Sequence, residues 1–187
     1  IPTLSLGQCL ALVLVGSLLV MAPSVSNDWV NFDDGQYVQQ NPLVQELSLE
    51  SVTQIFQTPE FMGNYHPLTL LSLATDYAIA GHNPTVYHLH NLLLHLLNTA
   101  LVFFLVLKWR EQVVLAALVA LLFGIHPMHV ESVAWISARK DGLYTVYFLL
   151  SVLSYLRFRE GENRKWFWYG LSLLCFAAAL MAKAMAV

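Results

Sequence analysis

Five long apolar runs occupy most of this 187-residue chain. A helix needs about 20 mainly apolar residues to cross the hydrocarbon core of a bilayer, with a range of about 17–25. With 57% hydrophobic and only 11% charged residues, the chain has too few polar side chains to cover its apolar surface in water. The sequence therefore predicts an all-α, polytopic bundle of transmembrane helices. The predicted spans are residues 4–25, 86–107, 113–136, 143–158 and 166–187.

Two shorter helices are predicted in the polar segment 26–85, between the first and second spans. The run 67–80 is too short to span a bilayer and carries Asp76, which favours an interfacial or re-entrant helix. Ser48 is a good N-cap, and residues 48–57 are expected to form a helix that lies on the membrane surface. The apolar side chains that would share one face of this helix are Leu49, Val52 and Phe56.

The ends of the chain raise two further points. The first run could be a signal peptide, but it has no basic n-region and Pro23 stands where cleavage would fall, so a span is favoured. Because the chain begins at Ile1 and ends at Val187 inside an apolar run, we expect residues 1–187 to be a single transmembrane-domain fragment of a longer protein. Cys9 and Cys175 lie in apolar runs and are expected to be free thiols.

Basic residues are distributed unequally between the two sides that five spans define. The short connections 108–112 and 157–165 lie on one side, and the long segment 26–85 lies on the other. Since short basic connections stay in the cytoplasm, we expect a cytoplasmic N-terminus and an extracytoplasmic acidic loop. A net charge of −3 does not suggest a nucleic-acid partner. The basic residues of the short connections are Lys108, Arg110, Arg157, Arg159, Arg164 and Lys165.

Paired carboxylates, Asp33 and Asp34, stand near the start of the extracytoplasmic loop. Adjacent carboxylates repel, which raises the pKa of one of them or lets the pair share a cation. Both outcomes suit a general base that deprotonates a hydroxyl. Asp-Asp-Gly is also a common turn sequence, and spacing alone favours the turn.

A second polar group follows the third run, where Pro127 is expected to break the helix. The side chains of His126, His129 and Glu131 could hold a metal ion or a phosphate at this helix end. A hydrogen-bond network is favoured over a metal, because the spacing fixes no further ligand. No metal ligands are assigned, and a divalent cation is kept as an alternative cofactor.

Three basic residues belong to the extracytoplasmic side. Arg139 and Lys140 have the chemistry to bind a phosphate, or they form an ordinary juxtamembrane cluster, and spacing does not decide between the two. Lys183 lies in the last apolar run, so it either snorkels to the surface or meets a phosphate or an external carboxylate.

The second span carries a polar stripe at a spacing of three, four and three residues, which places it on one helix face. In lipid such a face must meet protein or a cavity, and hydrogen bonds between helices are the favoured interpretation. The stripe consists of His88, Asn91, His95 and Asn98. His88, near the outer surface, and His66, at the start of the run 67–80, could also line a site.

Taken in order, these motifs resemble a family of bacterial membrane proteins with a multi-span N-terminal half and C-terminal tetratricopeptide repeats. The family is similar to the animal transmembrane-and-tetratricopeptide-repeat O-mannosyltransferases, and the resemblance covers nearly the whole chain. The motifs that carry it are Phe-Asp-Asp-Gly, Asn-Pro-Leu-Val, Tyr-His-Pro-Leu-Thr, Tyr-His-Leu-His-Asn-Leu-Leu-Leu-His, Leu-Phe-Gly-Ile-His-Pro-Met-His-Val-Glu-Ser-Val-Ala-Trp, Arg-Lys-Asp and Met-Ala-Lys-Ala-Met.

The resemblance implies a GT-C glycosyltransferase fold in a bacterial inner membrane, with further spans and repeats outside this segment. It implies inverting transfer of a sugar from a polyprenyl-phosphate-linked donor to a protein or glycan acceptor outside the cytoplasm. The catalytic base would stand in the first external loop, where Asp33 and Asp34 match and Asp34 is preferred. The donor phosphate would be bound by Arg139, Lys140 and Lys183. The residues that would line the site are His66, His88, His126, His129, Glu131 and Asp141.

Two other functions agree with parts of the sequence. A non-catalytic membrane scaffold would use the tetratricopeptide repeats to hold partner proteins. A transporter would use the polar stripe of the second span, but the gathering of polar motifs on one side of the bilayer argues against it.

Overall fold

The structure is a computed structural model that describes residues 4–58, 60–161 and 164–184. Within those ranges it contains nine α-helices, short 3₁₀ and π-helical turns and no strand, which confirms the all-α prediction. The helices are α1 (Leu6–Met21), α2 (Pro42–Gln45), α3 (Leu49–Gln57), α4 (Pro67–Ala80), α5 (Pro84–Arg110), α6 (Val113–Gly124), α7 (Val130–Ala134), α8 (Arg139–Arg159) and α9 (Lys165–Ala182).

Among the described residues, three helical segments are long and apolar enough to cross a membrane. They are α1 with its 3₁₀ extension (Leu6–Ser26), α5 and α9. A fourth candidate is bent: α6 and the segment Pro127–Ala134 meet at 52°. The predicted span 113–136 is therefore a broken helix, because Pro127 cannot continue the hydrogen-bond ladder of α6.

The predicted span 143–158 lies within α8, which is 21 residues long. Charged residues at both ends dilute its apolar stretch, so α8 is not among the helices that meet the length and hydropathy requirement. It packs nonetheless against α5 and α9 inside the bundle. The five-span topology stays a prediction, and residues 185–187 of the last predicted span lie outside the described residues.

Helix α5 is the central helix of the bundle and packs against α1, α6 and α8. Its polar stripe donates hydrogen bonds to backbone carbonyls of the neighbouring segments. Asn91 Nδ2 lies 2.9 Å from the Trp135 oxygen, and Asn98 Nδ2 lies 3.0 Å from the Gly142 oxygen. His95 Nε2 lies 2.8 Å from the Gly124 oxygen. The stripe therefore ties the bundle together, as interhelical hydrogen bonding predicts.

The segment between the first two spans folds as a small helical layer over α4. Its core is a cluster of buried side chains centred on Tyr37, Ile55 and Leu70. The predicted helix over 48–57 is present as α3, and the Ser48 hydroxyl accepts a hydrogen bond from the Ser51 amide at 3.1 Å. Leu49 and Phe56 point outward, where an apolar face can meet the membrane surface.

Candidate functional site

Asp34 is fully buried and links the loop that follows α1 to the turn before α8. Its Oδ2 accepts a hydrogen bond from the Val30 amide at 2.9 Å. Its Oδ1 accepts one from the Ser137 amide at 3.0 Å and another from the Ser137 hydroxyl. Both carboxylate oxygens are thus occupied, so Asp34 holds the loop in place across 103 residues of sequence.

Asp33, its neighbour, has a different environment. It is half-buried, and its carboxylate makes no hydrogen bond or ion pair with any residue that the structure describes. Its charge lies close enough to Tyr37 to act on that phenol: burial, and secondly Asp33, raise the pKa of Tyr37 to about 12. Asp33 therefore presents a free carboxylate beside a tyrosine ring that stays neutral.

Arg139 is enclosed by protein and donates to four acceptors. It forms a salt bridge with Asp76 at 2.6 Å and donates to the Ser72 hydroxyl and the Tyr87 carbonyl, each at 2.9 Å. Its Nε donates to the Asn91 side chain. A guanidinium used in this way joins α4, α5 and α8, and it has no free face for a ligand.

Lys140, the next residue, is half-buried and faces the helical layer over α4. Its ammonium lies 5.1 Å from the centre of the Tyr37 ring, a cation–π distance. Within the described part of the chain no carboxylate pairs with it. Of the two adjacent cations that the sequence assigned to a phosphate, Lys140 is the one that remains available.

His66 packs on the other side of the same tyrosine. Its ring stacks on Tyr37 with centroids 5.4 Å apart, and Phe61 meets it edge-on at 6.1 Å. Only 2% of His66 is exposed, and neither ring nitrogen has a hydrogen-bond partner among the described residues. Burial, and secondly the charge of Lys140, lower the pKa of His66 to about 4.

Lys183 forms an ion pair with Asp141, the residue that follows Lys140 in the chain. The partner of Lys183 is therefore the Asp141 carboxylate, and a carboxylate was one of the two kinds of partner that the sequence suggested. Thr69 of α4 donates a hydrogen bond to the Ala182 carbonyl at 2.9 Å, which holds the end of α9 next to the start of α4.

The residues that follow α6 form a separate group. His126 Nδ1 accepts a hydrogen bond from the Met128 amide at 3.2 Å, and Glu131 is exposed. His129 packs on Phe123 at 4.3 Å and on His95 at 5.7 Å. Among the residues that the structure describes, no three His, Cys, Asp or Glu side chains are placed to hold a metal ion. In the structure this group therefore consists of ring packing and one local side-chain hydrogen bond at the end of α6, and its role stays a prediction.

A small polar cavity of about 40 Å³ lies next to His129, between α5 and α8. It is lined in part by Asn98, His129 and Asp141, and the Asn98 Oδ1 has no partner in the described chain. Its volume suits one or two water molecules rather than a sugar. His88 is also fully buried. Its ring lies near the backbone of Asp28 and Val133, but it makes no hydrogen bond of good geometry to any described residue.

The structure thus sorts the predicted site residues into three sets. Asp33, His66 and Lys140 gather around Tyr37, and we call these four residues the Tyr37 cluster. The anchoring residues are Asp34, Arg139, Asp141 and Lys183. The residues outside both sets are His88, His126, His129 and Glu131.

Sequence reasoning missed Tyr37, Asn91 as an arginine partner, and Asp76 as a structural anion. Asp76 carried a usable signal, because a carboxylate in an apolar run needs a cationic partner. Tyr37 carried none, since a single tyrosine in a polar loop is unremarkable.

A bundle of apolar helices with a polar cluster at one end is typical of a multi-span membrane protein. The model of the dolichyl-phosphate-mannose-protein mannosyltransferase family matches residues 6–187, and the chain belongs to that family. The resemblance to O-mannosyltransferases stated from the motifs is thereby confirmed.

Several proteins named as O-mannosyl-transferases are similar in sequence to this chain. Protein O-mannosyl-transferase TMTC4 of Homo sapiens is 31% identical over 214 residues, which cover 98% of this chain and 28% of the relative. Protein O-mannosyl-transferase TMTC4 of Mus musculus is 32% identical over 197 residues, or 89% of this chain and 26% of the relative. Protein O-mannosyl-transferase Tmtc2 of Drosophila melanogaster is 38% identical over 130 residues, or 67% and 14%. The chain spans less than a third of the length of these relatives, and no solved structure matches it significantly.

Proposed function

We propose that this chain carries part of the active site of a membrane glycosyltransferase, which transfers a sugar from a polyprenyl-phosphate-linked donor to a hydroxyl of an extracytoplasmic protein or glycan. The observation that carries the proposal is the Tyr37 cluster, in which a free carboxylate and an unpaired ammonium approach the same ring. The family match over residues 6–187 supports the reaction class.

Asp33 is the proposed catalytic base. A base needs an oxygen lone pair that faces the acceptor hydroxyl. Asp34 is preferred on the resemblance, but its two oxygens already accept three hydrogen bonds, whereas Asp33 accepts none from the described residues. Asp34 then serves as the positioning residue that fixes the backbone of its neighbour.

The proposed reaction is a single displacement. Asp33 takes the proton of the acceptor hydroxyl as the acceptor oxygen attacks the anomeric carbon of the sugar. The bond between that carbon and the phosphate oxygen breaks, and the polyprenyl phosphate leaves with the bonding electrons. Attack opposite the leaving group inverts the anomeric configuration.

Lys140 is the proposed cation for the donor phosphate. Arg139 is paired with Asp76, and Lys183 is paired with Asp141, so neither cation is free to bind the phosphate. Both still contribute to the electrostatic potential on this side of the bundle. An ammonium placed against a phosphate stabilises the negative charge that builds up on the leaving group.

The test is transfer of labelled sugar from a polyprenyl phosphate donor by the full-length protein. We expect Asp33→Asn to lower kcat by roughly 10²–10⁴-fold, the usual contribution of a positioned base. Asp34→Asn should lower both activity and thermal stability, because it weakens the bonds to Ser137. Glu46→Gln is the matched control, since Glu46 is an exposed carboxylate of the same loop.

Full transfer by Asp33→Asn, by Asp34→Asn and by the double variant would show that neither carboxylate is the base. A wild-type protein that binds partner proteins but transfers no sugar from any polyprenyl donor would instead support the scaffold function.

A further inference from the structure

A cavity of about 520 Å³ lies between α5 and α8, at the opposite end of the bundle from the Tyr37 cluster. The charge bias assigns this end to the cytoplasm. The two helices pack closely in their middle, where Leu101 and Leu149 are buried, but they leave this space unfilled near their basic ends. Its volume falls within the range of about 300–1,000 Å³ that is usual for small-molecule sites. The proposed sugar transfer does not use this cavity.

The lining of the cavity has an apolar part and a charged part. The apolar part consists of Phe104, Leu107 and Leu153, and Phe104 is 40% exposed. The charged part consists of Lys108, Arg157, Glu111 and Glu160. A phospholipid has the same division, because its apolar chains lie in the hydrocarbon core and its headgroup lies in the polar interface. The cavity therefore has the chemistry of a phospholipid site.

The charges of the lining balance, which argues against a purely anionic ligand. Pockets that bind anionic headgroups on the cytoplasmic side of membrane proteins are basic. Here two cations stand beside two carboxylates, so a ligand with a net negative charge would be repelled by Glu111 and Glu160. A headgroup that carries both a phosphate and an ammonium group would find a partner for each charge.

Lys108 retains donors for a phosphate. Its ammonium forms a salt bridge with Glu160 at 2.5 Å, and the two side chains are 33% and 41% exposed. An ammonium group has three N–H donors, so this ion pair leaves two of them for phosphate oxygens. The Arg157 guanidinium, which lies 5.0 Å from the centre of the Trp168 ring, adds a second positive charge to the same lining.

Glu111 is the carboxylate that an ammonium group can reach. It is exposed, and it forms no ion pair with any residue in the described ranges. It ends α5 in the left-handed backbone conformation, with φ 53° and ψ 23°, at a position where helices usually have glycine. Since the backbone favours glycine there, the carboxylate at this position calls for a role of its side chain.

We infer that the cavity binds a phospholipid whose headgroup carries a primary ammonium group, the chemistry of phosphatidylethanolamine. Lys108 and Arg157 contact its phosphate, Glu111 accepts hydrogen bonds from its ammonium group, and an acyl chain packs on Phe104 and Leu153. This inference goes beyond the proposed function, because it requires no sugar transfer. The bound lipid fills the gap between α5 and α8 and so stabilises the folded bundle.

The experiment measures lipid binding to the delipidated full-length protein in detergent by native mass spectrometry. The probes are phosphatidylethanolamine, phosphatidylcholine and phosphatidylglycerol with identical acyl chains. Wild type should bind phosphatidylethanolamine about tenfold more tightly than either of the others, the usual effect of one hydrogen bond to a charged group. The trimethylated ammonium of phosphatidylcholine has no N–H to donate, and phosphatidylglycerol has no cation.

Two variants test the two parts of the site. Glu111→Gly suits the left-handed backbone, so the lipid-free protein should keep or raise its melting temperature while it loses the preference for phosphatidylethanolamine. A purely structural Glu111 would change the melting temperature alone. Leu153→Trp fills the cavity and should abolish lipid binding. The matched controls are Glu60→Gln and Leu174→Trp, at an exposed carboxylate of segment 26–85 and an exposed leucine of α9, and both should bind as wild type does.

Other occupants of the cavity give different results. If wild type binds none of the three phospholipids, other parts of the full-length protein close the cavity and the inference is wrong. Tightest binding of phosphatidylglycerol would assign the cavity to an anionic lipid and would also overturn it. Unchanged binding in Leu153→Trp, or equal losses in Leu153→Trp and Leu174→Trp, would place the lipid elsewhere on the bundle. None of these results bears on the proposed sugar transfer.

Discussion

Arg139 is the side chain whose loss should cost the most stability. It is fully enclosed and neutralises Asp76, which is itself fully buried. Without Arg139 the Asp76 carboxylate would keep only its contact with His90 Nδ1. Removing one partner of a buried ion pair costs about 3–5 kcal/mol. We therefore expect Arg139→Met to lower the free energy of unfolding by this amount, measured by denaturant unfolding in detergent.

The matched control for this variant is the double substitution Arg139→Met, Asp76→Leu. Replacing a buried ion pair with apolar side chains is often close to neutral, so the double variant should recover most of the lost stability. Arg139→Lys should recover little, because an ammonium cannot reproduce the geometry that reaches Asp76, Ser72 and Asn91 together. A single variant as stable as wild type would show that the ion pair between Arg139 and Asp76 does not stabilise the fold.

Adjacent residues of the same charge have different environments in this structure. Asp33 and Asp34 are adjacent, but only Asp34 reaches Ser137, and only Arg139 of the Arg139–Lys140 pair is enclosed. The sequence could predict that these residues gather on one side, since charge bias and spacing are local signals. It could not separate the members of each pair, because their environments depend on contacts tens of residues away.

At the scale of helices, the crossing of α1 and α6 depends on Gly124. A Cβ on this residue would lie 2.9 Å from Ser17 Cβ and 3.1 Å from Thr99 Cγ2. Ser17 cannot move away easily, because its hydroxyl donates a hydrogen bond to the Val13 carbonyl at 2.9 Å. Close approach through a small residue is a common way to pack helices in membranes.

Gly124→Ala should therefore separate α1 from α6 and lower the free energy of unfolding by about 1–3 kcal/mol, the usual cost of overpacking. Thermal unfolding in detergent measures the loss. Gly170→Ala in α9 is the control, since a Cβ there meets nothing within 4 Å and alanine favours a helix. Equal melting temperatures for the two variants would contradict the close crossing.

The helices themselves were largely predictable. The runs that gave α3 and α4 begin at signals that the structure contains, namely the N-cap Ser48 and Pro67. The second span was predicted from residue 86, and α5 begins two residues earlier, at Pro84. Pro127 gave the break after α6, but not its 52° bend, since the angle depends on packing against α5. The hydrogen bond from Asn98 to the Gly142 carbonyl could not be predicted for the same reason, because it forms only when α8 packs against α5.

At the scale of the whole molecule, the two ends of the bundle differ in the way they use charge. At one end the Tyr37 cluster contains a cation and a carboxylate that form no ion pair with any described residue. At the opposite end of α5, Lys108 pairs with Glu160 at 2.5 Å, and Arg157 lies 5.0 Å from the Trp168 ring. Basic and aromatic side chains of this kind anchor the cytoplasmic interface of membrane proteins.

This asymmetry predicts an orientation that cysteine labelling can check. Cys9 and Cys175 are 7% and 8% exposed, so the native thiols of this chain should give little background. Asn31 is exposed in the external loop, and Gln112 is exposed in the short basic connection. In intact cells a membrane-impermeant maleimide should label Asn31→Cys, and it should label Gln112→Cys only after permeabilisation. The reverse pattern would place the Tyr37 cluster in the cytoplasm, where the proposed extracytoplasmic acceptor could not reach Asp33.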